Sequence, residues 1–147
     1  MRAKDLILTI LVAGASLAAA PRQEETVDQL IQRAETAPLA EQPALYIEVA
    51  QRQVQAADDL YAAGKVESAR AAVDGVVTYS GKASDAATRS GKRIKHTEIS
   101  LRKMAVRLRD IKRTLNFEDQ APVQSAADEL EHLRTGLLSH MFGKEPK

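Results

Sequence analysis

The chain has 147 residues, no cysteine or tryptophan, 3% aromatic residues, and 21 lysines and arginines against 20 aspartates and glutamates. The lack of cysteine excludes a disulfide framework, a thiol nucleophile, an attached c-type haem and a lipid-modified cysteine. The near-neutral balance argues against a whole-surface polyelectrolyte partner, and the alanine-rich apolar content suits close-packed helices better than a sheet.

Met1-Arg2-Ala3-Lys4-Asp5 is followed by an apolar run from Leu6 to Val12 and by small residues from Ala13 to Ala20. This is the charged, apolar and small-residue order of a signal peptide. The stretch from Leu6 to Ala20 has 15 residues, against the ~20 that cross a bilayer. Ser16 and Ala18 place the cut after Ala18, so residues 1–18 are expected to be removed. The product, periplasmic or extracellular, would then carry no transmembrane segment and would balance 19 bases with 19 acids.

Residues 24–36 place Val27, Leu30, Ile31 and Ala34 on one face of a short amphipathic helix, with acids in its first turn where the helix dipole favours them. With the linker between Pro38 and Pro43 it makes up residues 19–43. The bundle domain is expected over 44–142, with 143–147 as a tail. Its first helix, 44–63, carries Ile47, Ala50, Val54, Ala57 and Tyr61 at alternating spacings of three and four, and Gly64 closes it as a C-cap.

From Val66 to Leu115 the same alternation runs through fifteen seam positions, twelve of them apolar against a background of 44%, so the period is a real signal. Its unbroken phase favours one continuous helix, 66–115, roughly 75 Å long. Ser90-Gly91-Lys92 marks the place where it could break instead. Asn116 stops this segment, and a last helix is expected from Pro122 to Phe142, with Val123, Ala126, Leu130, Leu133 and Leu137 on its seam. The expected fold is all-α. Antiparallel, coiled-coil-like hairpins are built on a long central helix, and a break near Gly91 would turn the same segments into an up-down four-helix bundle.

Gly64-Lys65-Val66-Glu67-Ser68-Ala69 resembles the turn of a tetratricopeptide hairpin, but no second copy follows at a 34-residue period. The same turn resembles the last hairpin of periplasmic four-helix b-type cytochromes. That family's axial ligands are absent: no histidine lies between Lys65 and Lys95 and no methionine between Ala3 and Lys103. No haem is therefore expected, and no other cofactor has a signature.

Phosphate loops, nucleophile elbows and His-Glu-x-x-His are all missing, so the chain reads as a non-enzyme. Glu129 and His132 share a helical face at the spacing used in di-metal bundles, but a single pair does not make a metal site.

The main asymmetry is charge. Arg89, Lys92, Arg93, Lys95, Arg102, Lys103, Arg107, Arg109, Lys112 and Arg113 face only Glu98 and Asp110 within 89–113. Acids of the last helix, Glu118, Asp119, Asp128, Glu129 and Glu131, are the expected partners of these bases across a helix seam. Bases left over would form a binding face for an anionic envelope surface. Nucleic acid is disfavoured because no aromatics interleave the bases. Ile99 and Val106 point into this basic face, which calls for a second contact, either with helix 24–36 or with another copy of the chain. The expected role is a non-catalytic exported interaction or scaffold protein with a protein partner or self-association. A small-ligand or metal-binding bundle, or a peripheral binder of anionic surfaces, is the alternative.

Overall fold

A computed structural model describes residues 24–143. The expected signal segment 1–18 and the end of the tail, 144–147, lie outside the described residues. Five helices follow in order: α1 (Val27–Thr36), α2 (Gln42–Ala62), α3 (Val66–Ser90), α4 (Ile94–Arg113) and α5 (Phe117–Phe142).

Helix α1 begins with a reciprocal cap. The Thr26 hydroxyl accepts the Gln29 N–H at 3.2 Å, and the Gln29 side chain accepts the Thr26 N–H at 3.0 Å, which satisfies two donors that the first turn leaves open. Leu30 and Ala34 are buried and fix α1 against α2. Pro43 sits in the first turn of α2, where no N–H is needed. At the other end, the Lys65 N–H reaches the Leu60 carbonyl at 2.9 Å and the Gly64 N–H reaches that of Tyr61 at 3.0 Å. This pair of bonds is a Schellman closure, and it needs the left-handed Gly64, at φ +74°. The α2–α3 hairpin expected from the sequence follows from it.

The continuous helix 66–115 does not form. Gly91, at φ +67°, caps α3 in the left-handed region, and Arg93, at φ +61°, lies there too. The two turns redirect the chain. Helix α4 then lies along α2 and α5 and meets α3 only sparsely, while α2 and α5 do not touch. The four long helices therefore stand at the corners of a square, with α3 and α4 across one diagonal and α2 and α5 across the other. Consecutive helices alternate in direction. Contacts such as Arg70 to Asp119 and Arg107 to Asp58 show α3 parallel to α5 and α2 parallel to α4.

Folding back is favoured because it gathers every seam into one core. Ile47, Val54, Val76, Leu101, Leu108, Ile111 and Leu130 belong to a single buried cluster, whereas a straight rod would cover each seam from one side only. At about 25 cal/mol per Å² of apolar surface removed from water, that difference outweighs three residues of lost helix. The phase survives the break because it reports which side of each helix is buried, not whether the axis is straight.

Helix α5 starts at Phe117, five residues before the expected start at Pro122. Asn116 stands at its N-cap position, Glu118 and Asp119 lie in its first turn, and the Gln120 side chain donates to the Leu115 carbonyl at 3.1 Å. Pro122 is thus inside the helix, as its sixth residue, where it leaves the Glu118 carbonyl without the N–H donor that an ordinary residue would supply. Among the described residues no helix is long and apolar enough to cross a membrane.

Candidate functional site

Ion pairs inside the bundle sort the ten bases of 89–113 into used and unused. Arg107 meets Asp58 of α2, and Arg109 meets Glu131 of α5 at 3.5 Å. Arg89 and Arg113 pair within their own helices, with Asp85 and Asp110. Lys112 donates to the Gln124 amide at 2.6 Å. Lys92, Arg93, Lys95, Arg102 and Lys103 are exposed and have no ion pair among the described residues.

The expected neutralisation by α5 is largely absent. Of its acids, only Glu131 meets a base of α4, because Asp119 turns to Arg70 on α3 and Asp128 accepts from Gln124 on its own helix. The best-buried pair runs the other way: Glu98 of α4, with a side chain 9% exposed, binds Arg134 of α5 at 2.6 Å. That bond, and a second to Glu131, raise the pKa of Arg134 above the ordinary arginine value.

Helical geometry arranges the unused bases. Lys95 and Arg102 alternate with Ile99 and Val106 at spacings of four, three and four, so they form one ridge along the outer side of α4; Lys103 flanks it, and Arg113, paired with Asp110, stands at its far end. Val106 is 51% exposed. Helix α1 packs on α2 and not on α4, so of the two contacts considered for Ile99 and Val106, the one with helix 24–36 is not made.

The opposite side of the bundle carries a different surface. Parallel α3 and α5 leave a groove in two consecutive stretches, of about 580 and 400 Å³. Asp74 and Glu129 border the first; Asp85, His132 and His140 border the second. No lysine or arginine lines either stretch, and Asp74 and Glu129 make no ion pair among the described residues.

Gly81 of α3 and Gly136 of α5 line this groove, and a Cβ added to either would meet nothing within 4 Å. Neither glycine is required by the packing of its own chain, and each costs its helix about 1 kcal/mol relative to alanine. Their effect is to keep the groove wide. Sequence reasoning passed over Gly81, Gly136 and Asp74; the available signal was two glycines inside helical periods, away from any cap.

Glu129 and His132 are both exposed and border successive stretches of the groove. Among the described residues no three histidine, aspartate or glutamate side chains are grouped to hold a metal ion. Compared with known proteins, the chain matches no family model, no curated protein and no solved structure.

Proposed function

We propose that this chain is a non-catalytic, exported helical interaction protein whose working surface is the basic outer ridge of α4. The observation that carries the reading is that Lys95, Arg102 and Lys103 of α4 are exposed and left by the fold without a carboxylate, on or beside a ridge that also carries the half-exposed Val106. Charges needed only for solubility would be interspersed with the opposite sign. Here one face keeps its bases, while Asp119 of α5 is taken by Arg70 and Asp128 accepts from Gln124 on its own helix. Export is supported by the charged, apolar and small-residue order of residues 1–20.

Two single charge reversals test the ridge. Arg102→Glu lies on it and Lys65→Glu, in the α2–α3 turn, lies off it; both change the net charge by the same amount. On a polyglutamate-coated surface, Arg102→Glu should lower the salt concentration needed for elution far more than Lys65→Glu. Equal shifts would show that the surface binds as a uniform charge and would reject the ridge as the working site.

A further inference from the structure

We propose that the acidic groove between α3 and α5 of one copy receives the basic α4 ridge of a second copy, so that the chain associates head to tail. This inference rests on the reading of the α4 ridge as the working surface and supplies its partner.

Charge complementarity carries it. The groove presents Asp74 and Glu129 without a base, and the ridge presents Lys95 and Arg102 without an acid. Opposed potentials of this kind set register and exclude like-charged partners. The dimensions agree as well. The α3 wall of the groove, from Val73 to Thr88, is roughly 22 Å long, and the ridge from Lys95 to Arg113 is roughly 27 Å, at 1.5 Å per residue.

Shape is the second match. With hydrogens in place of side chains at Gly81 and Gly136, a neighbouring helix can approach α3 and α5 closely, and the apolar Val77 and Leu133 stand ready for Ile99 and Val106. A vesicle of anionic lipid would use the ridge but would leave the glycine-opened groove without an occupant. The second copy accounts for both surfaces.

Topology decides the mode of assembly. Helices α3 and α4 stand across a diagonal of the bundle, so ridge and groove face different ways and a chain cannot close on itself. The contact joins two unlike patches, which makes it heterologous and lets it repeat.

The test uses two variants and absolute mass in solution. Lys95→Glu with Arg102→Glu disables the ridge and keeps the groove; Gly136→Leu fills the groove and keeps the ridge. Leucine is a good helix former, so the melting temperature of the second variant should be unchanged or raised. At low salt the unaltered chain should grow beyond a dimer with concentration and dissociate in high salt. Each variant alone should stay monomeric, and an equimolar mixture should stop at a one-to-one dimer, because one functional ridge then meets one functional groove.

A monomeric unaltered chain at high concentration and low salt would overturn the proposal, as would a mixture that remains monomeric. If self-association fails while Arg102→Glu still elutes earlier than Lys65→Glu from polyglutamate, the ridge stands and only its partner is wrong. If both fail, the ridge reading falls with it.

Discussion

Gly91 decides between two ways of satisfying the same seam, and replacing it by alanine should tip the balance. The glycine sits at φ +67°, and a Cβ added to it would meet nothing within 4 Å, so the only penalty for a side chain there is in the backbone. An L-residue in the left-handed region costs about 1–2 kcal/mol, and alanine gains about 1 kcal/mol over glycine once the position becomes helical. Both effects favour a straight α3–α4, by at least about 2 kcal/mol per chain, or roughly 30-fold in the population ratio. A straightened chain cannot fold α4 and α5 onto its own α2 and α3, but a second chain can supply them in a domain-swapped dimer. Gly91→Ala should therefore populate a concentration-dependent dimer with a continuous helix of about 72 Å. Unlike docking of ridge into groove, the exchange should resist high salt. Solution scattering with absolute mass reads both properties. A Gly91→Ala chain that stays monomeric with unchanged dimensions, and merely loses stability, would refute the idea that this turn alone holds the bundle closed.

Three further outcomes follow from the packing. Leu130, 0% exposed on α5, should cost about 3 kcal/mol on replacement by alanine, since truncation leaves a cavity as well as losing burial; urea unfolding with an unchanged slope would measure it. Gly136→Ala should stabilise the fold by up to about 1 kcal/mol because its Cβ enters open space, and a drop in melting temperature would show a contact that this geometry lacks. Removing Arg134 should lower the denaturation midpoint more than Glu98→Gln does. The first change strands a carboxylate 9% exposed, whereas the second leaves Arg134 its other partner, Glu131, at 3.2 Å.

The elements closed by local chemistry were legible in the sequence. Acids in the first turn, Pro43 and Gly64 located α1, α2 and the first hairpin to within a few residues, because caps and turns act over four or five positions. The junction at Gly91 was harder to read. A three-residue turn there kept the seam in phase, and periodicity alone cannot tell a straight seam from one that folds back with the same face inward. The start of α5 was misplaced because proline is familiar at a first helical position, yet here Asn116 provides the boundary and Pro122 follows it within two turns.

The candidate site was legible in its residue types but not in its partners. The concentration of bases in 89–113 identified α4, and Val106 proved exposed as its phase required. Pairing those bases with α5 assumed that the next helix in sequence is the neighbour that matters. In the square, α4 has α2 on its other flank, so Arg107 goes to Asp58 while Asp119 is drawn away to Arg70. Each of these exchanges links helices that run parallel and are not consecutive in sequence, a relation that no local pattern records. The exchanges also leave charge of one sign unspent on α4 and of the other sign in the groove between α3 and α5. A monomer gains no internal attraction from charges held that far apart in water. Such a separation becomes useful when the two faces meet on different molecules, which is why the leftover charges, rather than the satisfied pairs, point to what this bundle does.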